Sequence, residues 1–212
     1  MNPTSIKQTL HQYFGFSDFR LGHEPVINAI VSGRSSAAIF PTGSGKSLCY
    51  QLPALHMPNL TLVISPLLAL MQDQISFLNS KNIPAASIDS SLSRDQVNQI
   101  MQEVRSGQIK ILMVAVERLK NERFRHFLQS ISISLLVVDE AHCISEWGHN
   151  FRPDYLKLPQ YQRDFNIPQT LLLTATATPQ VIQDMASKFN IAPQDVTATG
   201  FYRPNLDIGV AA

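Results

Sequence analysis

Lys46 and Ser47 fall inside the stretch FPTGSGKSLCYQLPA (40–54), and their types and spacing suit one chemistry, the holding of a polyphosphate. Gly43 and Gly45 let backbone approach anionic oxygens closely, with Thr42 before them and Ser44 between them completing the turn. Lys46 can reach the outer phosphates while the Ser47 hydroxyl ligates Mg²⁺. Phe40 departs from the pattern G-x-x-x-x-G-K-[ST], standing where its first glycine is usual. A second cluster lies in SLLVVDEAH (134–142), where Asp139 and Glu140 end an apolar run. An Asp so placed can hold Mg²⁺ through its water shell, and the adjacent Glu can orient or deprotonate an attacking water. An acidic pair also starts many ordinary surface turns.

These residues need elements to carry them. SAAIF (36–40) reads as a strand before the glycines and KSLCYQLPA as a helix after them. That order puts the phosphate loop at a helix N-terminus, whose partial positive charge favours anions. Further strands are expected at TLVIS (61–65), AASID (85–89), IKILMVA (109–115), ISLLVVD (133–139) and QTLLLTA (169–175). Several are apolar without alternation, as strands covered on both faces must be. Helical patterns run over 67–79, 93–105 and 179–189, the last with Thr178 as N-cap and Pro179 at the first helical position. Repeated strand–helix–strand units predict an α/β fold, a mainly parallel sheet with helices on both faces. Strand order does not follow from the sequence.

The 212 residues suffice for one substantial domain, and 44% hydrophobic with 16% charged residues is a globular composition. A net charge of +1 means that any nucleic-acid contact must come from a local surface. No apolar run approaches the ~18 residues of a membrane span, and MNPTSIKQTLHQYF lacks the apolar core of a secretory signal. Two isolated cysteines, Cys49 and Cys143, argue against a disulfide framework or zinc cluster and fit small buried hydrophobes in a reducing compartment.

FPTGSGKSLCYQLPA, VVDEAHCISEWGHNFRPDY and LTATAT, in that order, resemble the first motor lobe of the RecQ family of superfamily 2 DNA helicases. The resemblance runs from YFGFSDFR near Tyr13 to FYRPNL near Phe201, and its most specific part is the aromatic-rich loop after DEAH. It implies a RecA-like lobe over residues 1–208, with an adenine-recognition segment at about 13–33 and the start of a second lobe at 209–212. In that segment Phe16 would stack on adenine with the Arg20 guanidinium on its other face. His23 stands where the family usually has Gln, and Phe19 reads as core packing. Lys46 and Glu140 become the catalytic pair, with Ser47 and Asp139 on the metal. His142, Trp147, His149, Phe151, Arg152, Thr174 and Thr176 become the coupling and DNA-binding set. Asn150 replaces an Asp common in the family, and Val116 a proline. SPLLALMQDQ (65–74) and VAVERL (114–119) resemble further DNA-facing segments. Arg118, Lys120, Arg123 and Arg125 could track a DNA backbone or form a solvated helix face.

The implied cofactors are ATP and Mg²⁺. The implied partners are single-stranded and branched DNA and a second helicase lobe, with no membrane. Localisation would be cytoplasmic and nucleoid-associated in a bacterium, nuclear in a eukaryote. On this reading the chain is a fragment of a longer helicase, binding ATP with little turnover of its own. Two alternatives stand: a nucleotide-dependent single-stranded DNA-binding module without turnover, and a DEAH-type RNA helicase lobe.

Overall fold

The protein's computed structural model describes residues 3–200, so FYRPNLDIG, read as the passage to a second lobe, lies outside the described residues. Seven strands form one sheet: β1 (Ser36–Ile39), β2 (Leu60–Ile64), β3 (Ala85–Ile88), β4 (Ile111–Val114), β5 (Ile133–Val138), β6 (Thr170–Thr174) and β7 (Val196–Ala198). Their order is β3-β4-β2-β5-β6-β1-β7, and every pairing is parallel. The six expected strands are present within a residue or two of their expected ends. β7, three half-buried residues at the edge beside β1, was not foreseen.

Helices cover both faces. α1 (Pro3–Thr9), α2 (His23–Val31), α3 (Leu48–Ala54) and α4 (Leu68–Ser80) lie on one side. α5 (Arg94–Arg105), α6 (Glu122–Gln129), α7 (Leu158–Asp164) and α8 (Pro179–Lys188) lie on the other. Burial on both sides explains why β2 and β5 are apolar at nearly every position. The chain crosses over one face from β1 to β2 to β3, then returns over the other through β4, β5 and β6. Consistent right-handed crossovers require that exchange of faces where the direction reverses.

Local signals set the helix ends. Ser93 and Gln96 form a reciprocal capping box at the start of α5, and the Thr178 hydroxyl accepts from Val181 N–H at α8. α1 passes into a π-turn, Leu10–Phe14, stopped by Gly15 at φ 73°. Cys49 and Cys143 are buried and unpaired, with thiols pushed up to about 12 and about 11 by burial. No helix among the described residues is long and apolar enough to cross a membrane.

Candidate active site

The carboxyl ends of β1, β6 and β5 stand side by side, and each leads into one of the sequence-predicted clusters. Strands one step apart are about 4.8 Å from each other, so β1 and β5 carry their loops roughly 10 Å apart. That is the edge where open parallel sheets bind ligands.

At the end of β1, Phe40 keeps its N–H on the Thr174 carbonyl (3.0 Å), continuing the β1–β6 ladder. Its side chain is fully buried, which is why a large apolar residue is accommodated where a glycine is usual. Gly43 (φ 82°) and Gly45 (φ 78°) then turn the chain through the left-handed region. A Cβ on Gly43 would meet nothing within 4 Å, so its surface lies open to a ligand. Thr42 is exposed beside it. Lys46 Nζ donates to the Phe40 carbonyl at 3.4 Å, and Ser47 stands at the start of α3 with its hydroxyl making no capping bond; the first bonds there are i→i+3.

The Phe40 ring supports His23, their centroids 5.4 Å apart. His23 is 1% exposed, and neither ring nitrogen has a hydrogen-bond partner. Burial, then the Arg20 charge, holds its pKa below the ordinary value, while the Ser44 backbone works the other way. The Ser44 hydroxyl beside it is also buried without a partner. Orphaned buried polar atoms are rare; the Thr61 and Thr170 hydroxyls are two within the sheet, while those of His23 and Ser44 lie at the phosphate loop, where a ligand could satisfy them. Gly22 lets the chain pass close by: a Cβ there would come within 2.5 Å of the Thr199 side chain. Phe16 is 46% exposed, with the Arg20 guanidinium 5.9 Å from its ring centroid. A base inserted between them would need about 7 Å, two van der Waals spacings, so the pair must part slightly. Phe19 packs against the core, as expected.

At the end of β5, Asp139 N–H bonds the Ile64 carbonyl, and its carboxylate accepts from Glu140 N–H (3.0 Å) and lies 3.4 Å from the Ser65 hydroxyl. Burial and the neighbouring Glu140 push the Asp139 pKa up; that backbone bond and the Lys46 ammonium offset part of this. A carboxylate strained in this way is a natural seat for a cation. Glu140 sits in the left-handed region at φ 52°, ψ 44°, a strained conformation for a non-glycine residue. Together with the open Gly43 turn and the orphaned atoms, these groups fit Mg²⁺ and a nucleotide, and Ser47 and Asp139 are the residues that could hold the metal.

At the end of β6, Thr174 is buried, its hydroxyl 2.7 Å from His142 Nδ1, which lies 3.4 Å from Glu140 Oε2. Burial lowers the His142 pKa, partly offset by Glu140. The aromatic loop and LTATAT meet in one cavity of about 480 Å³, lined by His142, Trp147, His149, Thr176 and Pro179. Trp147 is 67% exposed, and Phe151 is half-buried. Arg152 is less available than expected, because it pairs with Glu117 at 2.6 Å. Lys120 pairs with Asp154 (3.0 Å), and Arg125 donates to the Leu119 carbonyl (2.8 Å).

Sequence reading missed three supporting residues. Tyr155, fully buried, donates to the Asp139 carbonyl (3.2 Å); Ser65 flanks the carboxylate; and Glu117 holds Arg152. None carries a local pattern that announces its partner.

A phosphate loop on β1 and an acidic strand end on β5, in a parallel sheet of this order, define a nucleotide-binding lobe. The DEAD/DEAH box helicase model matches residues 21–185, and the chain belongs to that family. It is similar to the probable ATP-dependent DNA helicase RecS of Bacillus subtilis (strain 168), 41% identical over 208 residues, covering 98% of this chain and 42% of that protein. The ATP-dependent DNA helicase RecQ of Pasteurella multocida (strain Pm70) is 42% identical over 205 residues, 95% of this chain and 32% of the relative. The chain thus spans less than half the length of these relatives. Among solved structures, a hypothetical ATP-dependent RNA helicase from Sulfolobus tokodaii shares the fold at TM-score 0.68 and 21% identity, over 93% of this chain and 57% of that one. The DUF1998 helicase MrfA bound to DNA shares it at TM-score 0.70 and 19% identity, over 93% and 30%.

Proposed function

We propose that the chain is the N-terminal motor lobe, residues 1–208, of an ATP-dependent DNA helicase of RecQ type. The observation that carries this reading is the convergence of the Lys46 loop, the Asp139–Glu140 pair and the His142–Thr174 contact at three neighbouring strand ends. ATP supplies the phosphoryl group and Mg²⁺ the charge that draws electrons from it. Lys46 exchanges the Phe40 carbonyl for phosphate oxygens. Ser47 and Asp139 would hold Mg²⁺, whose charge would favour the ionised form of the Asp139 carboxylate. Glu140 orients the attacking water and accepts its proton. His142, between Glu140 and Thr174, carries the state of that site to the aromatic cavity, where Trp147, His149 and Phe151 take bases of single-stranded or branched DNA.

The relatives' greater length supports a second lobe closing the cleft, so the chain alone should bind ATP and turn it over slowly. The test is Mg²⁺-dependent ATP hydrolysis by the chain with and without single-stranded DNA, beside a fluorescent-nucleotide titration. Binding that Lys46→Ala abolishes, with slow DNA-insensitive turnover, is the expected outcome. Brisk DNA-stimulated turnover would refute the half-motor reading, and binding unaffected by Lys46→Ala would refute the phosphate-loop assignment.

A further inference from the structure

We propose that the groove between α5 and α6 docks an acidic, amphipathic peptide segment of a partner protein. Three cavities of about 280, 610 and 480 Å³ run end to end along these helices. The first two share Asn98, Met101 and Arg123; the second and third share Arg105 and Ser130. A 12-residue α5 is about 18 Å long, room for three turns of a helical peptide.

The charge on this groove is one-sided. Arg94, Arg105, Lys110, Arg118 and Arg123 line it, and no Asp or Glu does, although the chain as a whole has 17 basic and 16 acidic residues. None of the five makes an ion pair among the described residues. Asp89 attracts Arg118 without lining the groove, and His126 lies 4.0 Å from Glu122. Arg123 donates to the Asn98 side chain (2.9 Å) and Lys110 to the Met57 carbonyl, contacts that leave their charge in place. A run of cations without carboxylate partners around concave walls concentrates an anionic ligand.

The floor decides between a nucleic acid and a peptide. Phe124 and Phe127 are 3% and 2% exposed, and guanidiniums lie over them: Arg118 at 5.8 Å and Arg105 at 4.9 Å from the ring centroids. No free ring face remains for a base to stack on, in contrast to Trp147 on the DNA-facing cavity. What remains are small apolar hollows beside Val97 and Met101, rimmed by guanidinium edges that can take carboxylates two oxygens at a time. Apolar side chains on one face and carboxylates at the margins match that pattern, the helix-in-groove mode of recognition. α5 and α6, which wall the groove, follow β3 and β4 in one half of the sheet, while the phosphate loop follows β1 in the other half, so an occupant leaves the nucleotide site clear.

The experiment is fluorescence anisotropy of a fluorescein-labelled helical peptide, with Leu on one face and Glu on the other, titrated with the 212-residue chain. Saturable binding that weakens with salt is expected, falling about tenfold for Arg94→Glu and again for Arg123→Glu. Arg163→Glu, a charge reversal on α7 outside the groove, should leave it unchanged. Arg94 opens α5 at an exposed position where an acid suits the helix dipole, so its variant keeps the fold, checked by its melting temperature. No saturable binding, or binding indifferent to both groove variants, overturns the proposal. If both variants instead weaken oligo-dT binding and oligo-dT displaces the peptide, the groove belongs to a DNA strand and the proposal also fails.

Discussion

The Thr174 hydroxyl, at the buried end of β6, stands 2.7 Å from Nδ1 of His142, the last residue of the DEAH sequence. His142 is therefore held between two sites: Glu140 at 3.4 Å on the nucleotide side, and the aromatic cavity it helps to line on the other. Thr174→Val keeps the shape and removes the hydroxyl. The variant should lose about 1 kcal/mol of stability, because a buried hydrogen bond goes. Nucleotide affinity should stay within a few-fold, while DNA stimulation of turnover in a two-lobe helicase of the proposed type falls. ATPase rates with and without oligo-dT decide the matter, and full stimulation in the variant would remove the Thr174–His142 contact from the coupling.

Asp139 is held in a form that suits a cation better than the empty fold. Burial and Glu140 raise its pKa, so at neutral pH the ionised carboxylate costs stability. The folded pKa lies above the unfolded one. The penalty is therefore absent at low pH, where both states are protonated, and grows as pH rises through the folded value. Asp139→Asn should then melt higher than the parent at about pH 8, a gain of about 1 kcal/mol, and converge with it below about pH 4. Mg²⁺-nucleotide should stabilise the parent far more than the variant. A variant that melts lower at every pH would show that hydrogen bonding of the carboxylate outweighs its burial.

Much of this architecture is legible in the sequence because apolar runs of β-branched residues and glycine turns are local signals. SAAIF and ISLLVVD announce buried strands, and Thr178-Pro179 announces the α8 start. The edge strand Val196–Ala198 is not legible, since three half-buried residues have no periodicity to read. Long-range pairing is equally silent. Nothing near Arg152 predicts that Glu117, 35 residues earlier, neutralises it, and nothing near Asp139 predicts the Tyr155 hydroxyl on its carbonyl. Phe40, which departs from the general phosphate-loop pattern, and His23, which departs from the family's usual Gln, sit 17 positions apart in sequence yet pack against each other. Only the fold reveals them as one feature.

His23 makes the fold acid-sensitive. Its folded pKa is depressed by burial and then by Arg20, so as pH falls the unfolded chain takes up a proton first. Stability from the neutral ring is full above the unfolded value of about 6.5 and is lost as pH drops through and below it. His56 and His142 are depressed in the same direction, again by burial, so the acid limb is shared. Melting curves between about pH 8 and about pH 5.5 should show a falling midpoint, and His23→Gln should recover roughly 2–4 °C of that fall. A parallel pH profile in the variant would leave His23 without a part in it. Competition between ATP and GTP for the same variant tests base reading separately: a changed preference assigns the His23 ring to the base.

Trp147 and Phe151 share one loop but differ in what they give up. Trp147 is 67% exposed, so Trp147→Ala should leave the melting temperature within about 1 °C. Its free ring face suits a base, and its loss should weaken oligo-dT binding by ~1–3 kcal/mol. Phe151 is half-buried, so Phe151→Ala should cost stability in this chain and, in a two-lobe helicase of the proposed type, the DNA-stimulated part of the ATPase with the basal rate preserved. Anisotropy with labelled oligo-dT, ATPase rates and melting curves on the two variants separate these contributions. Equal loss of basal and stimulated rates in Phe151→Ala would mark its ring as packing, and unchanged oligo-dT affinity in Trp147→Ala would move the DNA contact off this loop.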